Sequence, residues 1–291
     1  MSPSNAISSR LTQVHPAGSF SFRCPVIPTV KSIYATAALA RYNLTVPRTV
    51  AATRYVTPLR EGGSLPAIVE ADDCGLYVLK FRGAGQGPLA LVAELVAGEI
   101  GRALGLMVPE IVLMEVDPVL GRNEPDHEIR ELILASAGLN LALDYLPGSV
   151  MFDPAARIPV DPVIASKAVW FDAFVTNVDR TARNPNLLWW HKTLYFIDHG
   201  ASLYFHHDWK DLDRKAERPF AAIRNHVLLS QATRIDEVAE GLKSLLTRDV
   251  LADILAGVPD GWLCDPEEKR QGYLSYFMRR LNAAPKFFQD A

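Results

Sequence analysis

The sequence has few cysteines, no strong excess of charge of either sign, and no long hydrophobic run. Its three cysteines, Cys24, Cys74 and Cys264, are widely spaced and form no C-x-x-C pair, so neither a disulfide framework nor a zinc site is expected. The 30 basic residues are nearly balanced by 33 acidic ones, which argues against a protein that coats nucleic acid. The longest charge-free apolar run, 132–143, spans 12 residues, whereas a membrane-spanning helix needs about 20.

The amino-terminal end also lacks the pattern of a secretory signal. Arg10 and Arg23 are not followed by an uninterrupted apolar stretch, so we expect a cytoplasmic protein. Residues 1–50 contain prolines that would interrupt any long helix, and we expect them to form a leader of uncertain order. With 291 residues, 49% apolar and 22% charged, the chain is typical of a soluble globular protein with one large domain or two lobes.

Strand-forming segments follow the leader, and helical segments predominate later in the chain. Short runs rich in β-branched and aromatic residues predict an antiparallel meander over 54–59, 67–70 and 76–81. Pro88 stands where the first turn of a helix tolerates proline, and apolar residues continue at helical spacing to Leu104. Pro147-Gly148 is a candidate hinge. Beyond it, helical spacing predicts helices over 162–176, 235–246, 250–255 and 266–281, with a short hairpin at 187–197.

The most informative residues lie in the loop after the helix predicted at 162–176. This loop reads N-V-D-R-T-A-R-N over 177–184, and I-D-H-G follows at 197–200. Phosphoryl transfer from ATP needs a carboxylate that takes the proton of the acceptor hydroxyl, and oxygen ligands that hold Mg²⁺ on the phosphates. Asp179 and Asn184 share one loop, and a hairpin can return Asp198 close to it. Singly, each residue could simply start a turn or occupy a loop, so the prediction depends on their combination.

The motif D-R-x-x-x-N followed by I-D-H-G resembles the catalytic and metal loops of the HipA-like kinases and, more distantly, of phosphatidylinositol kinases. This resemblance implies that Asp179 is the catalytic base and that Asn184 and Asp198 are magnesium ligands. Those families often have a histidine soon after the catalytic aspartate, whereas this chain has Thr181 after Arg180. Arg180 could contact the phosphorylated acceptor or brace the loop. The resemblance covers about 56–200 and does not reach the amino terminus.

Two upstream residues fit the same resemblance. A lysine in an apolar strand is costly unless its ammonium group meets an anion, and in kinases such a lysine binds the α- and β-phosphates and pairs with a glutamate on the next helix. Lys80 lies in the third predicted strand, and Glu94 and Glu99 lie on the helix that follows. Helical spacing allows only one of them to face the lysine. We predict Glu94, because its surroundings resemble the family's helix; the alternative is a solvent-facing Lys80.

Two further segments are candidate nucleotide contacts. Gly62, Gly63 and Ser64 lie in the first predicted turn, where kinases fold a hairpin over the phosphates with backbone N–H groups. This turn could equally be a simple hairpin turn, but the pattern G-G-S-x-P also resembles the family. Tyr145 and Leu146 precede the candidate hinge, where a kinase chain would offer backbone groups to adenine.

The resemblance implies an α+β, bilobal, protein-kinase-like fold. We expect a small lobe with an antiparallel β-sheet and one main helix at 51–145, and a mostly helical lobe at 146–291. The expected activity is ATP- and Mg²⁺-dependent transfer of the γ-phosphoryl group to a hydroxyl, with Ser or Thr of a protein favoured over a lipid or a small molecule. We expect no membrane partner.

Two alternatives remain at this stage. The first is a nucleotide-binding or interaction module that has lost turnover, because sequence alone cannot establish catalysis. The second is a dinucleotide-binding oxidoreductase, because G-A-G-Q-G at 83–87 lies between a predicted strand and a helix. Against it, Pro88 stands where the fingerprint requires a third glycine, and a buried parallel strand would not tolerate Lys80.

Basic and acidic residues alternate within the helical region. They are Arg214, Lys215, Arg218 and Arg224, with Asp211, Asp213 and Glu217. This alternation is typical of an exposed helix with ion pairs and not of a nucleic-acid-binding patch. We therefore expect no direct nucleic-acid partner.

Overall fold

The structure is a computed structural model that describes residues 47–59, 65–85, 87–122 and 124–288. Most of the expected leader lies outside these residues, as do Gly62, Gly63 and Ser64, so their roles stay predictions. The first strand begins at Thr49, inside the segment expected to be a leader.

Five strands form a closed barrel in the order β1-β2-β3-β5-β4. They are β1 (Thr49–Pro58), β2 (Ala67–Ala71), β3 (Leu76–Lys80), β4 (Ile111–Val116) and β5 (Gly138–Asp144). The predicted meander is present as β1, β2 and β3, which pair antiparallel. The sheet is not antiparallel throughout, because β1 pairs parallel with β4, with Thr49 opposite Leu113. This closure was not predicted, since hydrophobic patterning identifies strands but not their distant partners.

Alternation of side chains along the strands fills the barrel. In β2 the residues Ala67, Val69 and Ala71 are buried, and the two between them are half-buried. They join Leu79, Met114 and other inward residues in one apolar cluster. The barrel interior is therefore a packed core and not a ligand cavity.

Helix α1 (Pro88–Ala103) follows β3. Pro88 occupies its first turn, as the sequence predicts, and Gly87 precedes it with a φ of 68°, a backbone conformation that favours glycine. Every residue from 91 to 101 is buried, so the helix is enclosed on all sides. Its apolar residues belong to the same core as the helices that follow. The few charged side chains on this buried helix therefore need ion-pair or hydrogen-bond partners.

The remaining elements are mostly helical, and the predicted helices and hairpin are present. They are α2 (His127–Ala135), β6 (Val150–Met151), α3 (Pro162–Val175), β7 (Leu187–Trp190), β8 (Thr193–Phe196), α4 (Leu212–Glu217), α5 (Ile235–Leu245), α6 (Arg248–Ala256) and α7 (Pro266–Asn282). Strands β6, β7 and β8 form a separate antiparallel sheet. Helix α3 is central, and its Trp170 and Phe174 stack at 5.4 Å between ring centroids. The α+β class is confirmed.

The site-bearing loops follow from this arrangement. Helix α3 ends at Val175, and the next residue, Thr176, has a φ of 55° that turns the chain out of the helix. The β7–β8 hairpin then brings the chain back, so that residues 177–186 and 197–200 flank the same hairpin. Within the described residues, no helix is both long and apolar enough to cross a membrane.

Candidate active site

Lys80, the last residue of β3, places its ammonium group between two carboxylates. Its Nζ lies 2.6 Å from Asp198 Oδ1 and 3.3 Å from Glu94 Oε2. The same Glu94 oxygen accepts a hydrogen bond from the backbone N–H of His199 at 2.8 Å. Glu99, the competing residue, instead lies 3.5 Å from Arg102. One strand, one helix and the segment after β8 therefore meet at Lys80, and Glu94 is its helix partner.

The three charges of this cluster differ in exposure and in pKa. Burial acts to lower the pKa of Lys80, but Glu94 and Asp198 raise it above its ordinary value. Burial raises the pKa of Glu94, which is 1% exposed, and Lys80 opposes that shift. Burial also acts to raise the pKa of Asp198, but the attraction of Lys80 outweighs it and leaves the pKa lowered. The Asp198 side chain is 45% exposed, so the carboxylate whose pKa is lowered is also the accessible one of the two.

A cavity of about 310 Å³ opens beside this cluster. Lys80, Glu94 and Asp198 line it together with Gly85 and Gly200. A Cβ atom at Gly200 would lie 3.6 Å from Glu94 Oε2 and 3.8 Å from Asp198 Oδ1. The absence of a side chain at Gly200 therefore keeps space open next to the charged groups.

Asp179 and Asn184 contact each other within the loop after α3. Asn184 Nδ2 donates to Asp179 Oδ2 at 2.6 Å. Asn186 Nδ2 lies 3.4 Å from the same oxygen and 3.4 Å from the backbone carbonyl of Asp198. One amide group thus joins the loop of Asp179 to the segment of Asp198, so the predicted base and the two predicted magnesium ligands lie on adjoining segments.

Sequence reasoning missed Asn186. It is 5% exposed and has a φ of 50°, a conformation that asparagine tolerates better than most residues. Its carbonyl accepts the backbone N–H of Ile197 at 3.1 Å. An asparagine between a proline and a strand carries no motif, although its tolerance of positive φ is a usable signal.

Arg180 is buried behind this loop, with 1% of its surface exposed. Its Nε donates to Asp172 Oδ2 at 2.7 Å, and its Nη1 donates to the carbonyl of Asn186 at 2.5 Å. The same Nη1 reaches the carbonyl of Ile197 at 3.3 Å, and Nη2 lies 3.1 Å from His199 Nδ1. Of the two roles considered from sequence, the geometry supports bracing of the loop, because every contact of the guanidinium is internal.

Asp172 of α3 is the buried carboxylate of this network. Besides Arg180, it binds His226 Nε2 at 2.8 Å and Asn177 Nδ2 at 3.0 Å. The backbone N–H of Leu228 donates to His226 Nδ1 at 3.1 Å, which leaves the ring proton on Nε2, facing Asp172. Burial acts to raise the pKa of Asp172, but the charge of Arg180 and the His226 hydrogen bond hold it well below its ordinary value. Asp172 is therefore a fixed buried anion.

His199 joins this network to the Lys80 cluster. Its backbone binds Glu94 while its ring accepts from Arg180. The ring packs edge-on against Phe171 with centroids 5.6 Å apart. Burial, reinforced by the nearby charge of Arg180, lowers the pKa of His199 to about 3, so the ring is neutral at physiological pH and able to accept. Motif reasoning placed His199 in I-D-H-G but assigned it no role.

The remaining predicted residues lie at the edge of the barrel. Tyr145 donates its backbone N–H to the carbonyl of Leu76 at 2.9 Å, and Leu146 is 4% exposed.

Strand β3 has antiparallel neighbours on both sides, whereas the dinucleotide fingerprint requires a parallel βαβ unit at this point. The dinucleotide-binding alternative is therefore wrong.

Comparison with known proteins identifies a family that this chain matches. The sequence profile of the HipA-like kinase family matches residues 53–288. The chain is similar in structure to the Helicobacter pylori proinflammatory kinase CtkA, with 12% identity, a TM-score of 0.53, and coverage of 82% of this chain and 96% of that one. It also aligns with the Golgi casein kinase with Mn/ADP bound, at 10% identity and a TM-score of 0.47, over 86% of this chain and 76% of that one. No curated protein sequence matches.

The family match extends well beyond the motifs that carried the resemblance in the sequence. It begins within β1 and includes the other barrel strands, α1, the loop of Asp179 and the helices to the end of α7. At 12% identity, the similarity to CtkA shows the fold alone, and that fold is kinase-like. The resemblance seen in the sequence is thus confirmed: the chain belongs to the HipA-like kinase family and is a kinase.

Proposed function

We propose that this kinase is an ATP- and Mg²⁺-dependent phosphotransferase that transfers the γ-phosphoryl group to a hydroxyl of a protein serine or threonine. The observation that carries the proposal is the meeting of Lys80, Glu94 and Asp198 from three distant parts of the chain, with Asn186 tying Asp198 to the loop of Asp179. The barrel with α1 and the helical region would be the two lobes, 51–145 and 146–291. The barrel interior forms an apolar cluster of its own, whereas the apolar residues of α1 pack in the same cluster as the helical region.

Lys80 is the group that binds the α- and β-phosphates. Its raised pKa keeps the ammonium charged, and Glu94, enclosed in α1, holds it toward the cavity. Gly62, Gly63 and Ser64 would cover the phosphates with backbone N–H groups. At the barrel edge, the Tyr145 carbonyl and the Leu146 N–H make no hydrogen bond within the described residues, so they are the backbone groups available to adenine.

The donor atoms present fit a magnesium ion. Within the described residues, Asp198 Oδ2 and Asn184 Oδ1 make no hydrogen bond, because Asp198 uses Oδ1 toward Lys80 and Asn184 uses Nδ2 toward Asp179. Carboxylate and amide oxygens are ligands that Mg²⁺ prefers, and two such protein ligands with nucleotide oxygens and water are typical of kinases. When bound there, the ion would neutralise charge on the phosphates.

Asp179 is the proposed base for the acceptor hydroxyl. Asn184 and Asn186 both bind its Oδ2, which fixes the carboxylate and leaves Oδ1 to accept the hydroxyl proton. Arg180, directly next to Asp179, is anchored by Asp172, so the loop is held before any ligand arrives. Such pre-positioning lowers the cost of reaching the reactive arrangement.

The test is Mg²⁺-dependent ATP consumption by the wild type and by Asp179→Asn, with Asp249→Asn as the control for loss of one exposed carboxylate. We expect Asp179→Asn to lose at least about 100-fold in turnover, while the control matches the wild type. Wild-type protein that binds ATP but turns over no faster than Asp179→Asn would identify a nucleotide-binding module without catalysis, and the proposal would be wrong.

A further inference from the structure

A second cavity, of about 550 Å³, lies at the carboxyl end of α3; we refer to it as the α3-end cavity. Thr176, in its wall, is three residues before Asp179, and a chain of that length spans at most about 11 Å. Leu203, after Asp198, donates its backbone N–H to the carbonyl of Val175 at 2.9 Å, which holds the segment before the lining residue Tyr204 against the end of α3. The cavity therefore lies within a few residues' length of the proposed base. A single acceptor peptide can extend from the base into the cavity.

The charged residues that line this cavity are mostly basic. They are Lys215, Arg218 and Arg280, with Asp208 as the one carboxylate among the described lining residues. Lys215 Nζ binds Asp208 through the carbonyl at 2.5 Å and through Oδ2 at 2.8 Å, so that carboxylate already has a counter-charge. Arg218 is exposed and has no ion pair within the described part of the chain.

The acidic residues of α4 form ion pairs, as the sequence predicts for an exposed helix, but not with Arg218. Asp213 and Glu217 pair with Arg279 of α7, at 2.8 Å and 3.1 Å. Lys286 adds a further contact to Glu217 at 3.8 Å. Because α7 takes these carboxylates away from the cavity, the alternating charges of the sequence separate in space, and the cavity side keeps a net positive charge.

Arg280 adds positive charge to the wall from within. It is 1% exposed, and its guanidinium binds the carbonyls of Ala173, Phe174, Ala216 and Arg218. No carboxylate pairs with it in the described residues. The carbonyl end of α3 supplies about half a negative charge. About half of the positive charge of the Arg280 guanidinium is therefore left, and it acts through a region of low dielectric constant.

We propose that the α3-end cavity binds a carboxylate-rich segment of the protein acceptor, adjacent to the hydroxyl that receives the phosphoryl group. Arg218 supplies the planar fork that binds a carboxylate with two hydrogen bonds, and Arg280 supplies additional positive charge. Tyr204, 69% exposed at the rim, offers an aromatic face for the acceptor backbone to pack on. This inference rests on the proposed function, because it names the acceptor class of that reaction.

The experiment measures peptide binding separately from catalysis. A fluorescein-labelled peptide of glutamate, serine and glycine is titrated with the full chain, and fluorescence anisotropy is recorded alongside the same peptide with glutamine in place of glutamate. We expect the glutamate peptide to bind at least about tenfold more tightly, and added NaCl to weaken its binding. Arg218→Glu is expected to abolish that preference. Arg248→Glu, the same charge change on an exposed residue of another cavity, is expected to preserve it.

The outcomes of this experiment separate the acidic-segment inference from the proposed function. Equal binding of both peptides overturns the acidic-segment inference, as does equal weakening by Arg218→Glu and Arg248→Glu. Thermal unfolding of both variants identifies any general loss of structure, and Arg218→Gln then repeats the test with a neutral side chain. Preferential, Arg218-dependent binding without Mg²⁺-dependent ATP consumption would retain the binding site and overturn the proposed function.

Discussion

Two charged clusters lie on either side of the loop that carries Asp179, and they differ in exposure. The Lys80 cluster, formed by Lys80, Glu94 and Asp198, opens to a cavity through Asp198, which is 45% exposed; we refer to it as the open cluster. The network of Asp172, Arg180 and His226 is closed, with each side chain at most 2% exposed. An exposed ion pair can exchange its partner for a ligand, whereas a buried one mainly fixes its surroundings. The first cluster is therefore expected to control turnover, and the second to control stability.

The largest effect is expected from Asp172→Asn. This change keeps the shape of the side chain but leaves Arg180 as a buried charge without a counter-ion, which costs about 3–5 kcal/mol in the free energy of unfolding. Urea denaturation followed by circular dichroism measures it, with Asp253→Asn, an exposed carboxylate, as control. A loss below about 1 kcal/mol would contradict the structural role of the closed network.

Lys80→Met is the matching change in the open cluster. We expect turnover of ATP to fall at least about 100-fold, equivalent to about 2.7 kcal/mol on the barrier, because the phosphates lose their ammonium partner. The free energy of unfolding should fall less than in Asp172→Asn, since Glu94, whose pKa is already raised by burial, can take up a proton. If Lys80→Met destabilises the fold more than Asp172→Asn does, the contrast between the two clusters is wrong.

The free energy of unfolding should depend on pH through His199, which joins the two clusters. The pKa of His199 is lowered from 6.5 to about 3 by burial and by Arg180. Between these values the unfolded chain binds a proton that the folded chain does not, so stability is lost as pH falls from about 6.5 toward 3, by up to about 1.4 kcal/mol per pH unit. His206, also buried with a pKa lowered to about 3, adds a second contribution of the same sign.

His199→Phe separates the two histidines. Phenylalanine retains the packing on Phe171 but cannot accept from Arg180, so we expect a loss of about 1–3 kcal/mol at neutral pH. We also expect a shallower pH dependence, because the contribution of His206 remains while that of His199 is lost. Urea denaturation at a series of pH values between 4 and about 7 measures both quantities. An unchanged slope in this variant would show that His199 does not remain neutral.

The smallest change tests the space beside the open cluster. In Gly200→Ala the added Cβ meets Glu94 Oε2 and Asp198 Oδ1 at ordinary contact distances, so stability should change by less than about 0.5 kcal/mol. Turnover of ATP should nevertheless fall a few-fold, because a methyl group takes space needed by the phosphates. Gly261→Ala, where nothing lies within 4 Å of the new atom, is the control. Equal turnover in both variants would show that ligands do not use this space.

Motifs in the sequence predicted Lys80, Glu94 and Asp198 of the open cluster and Arg180 of the closed network, but not Asp172 or His226. Lys80, Asp179, Asn184 and Asp198 stand in spacings that phosphate chemistry requires, and each can be recognised by type and order. Asp172 and His226 serve only to balance and orient Arg180. Any buried helix position near the loop could have supplied such a carboxylate, so no spacing identifies it in advance.

The fold shows the same division between local and distant information. Strands β1 to β3 and the helices were predictable because their patterns are local. The parallel pairing of β1 with β4 depends on segments on either side of α1, and the separation of charges around α4 depends on α7. In both cases the deciding partner lies far along the chain, where a local pattern carries no information.

The closed barrel has one further consequence, for association with other chains. Each of its five strands has a neighbour on both sides, but β1 pairs with β4 over Thr49–Ala51 and with β2 from Ala52 onward. Each part of β1 therefore keeps one unpaired side, whereas β2 and β3 offer no such edge to an extended peptide or a second copy. Among the described strands, free edges also remain in the small sheet, at β6 and β8. Recruitment of another polypeptide by strand addition is therefore expected at β1 or on the hairpin side of the molecule.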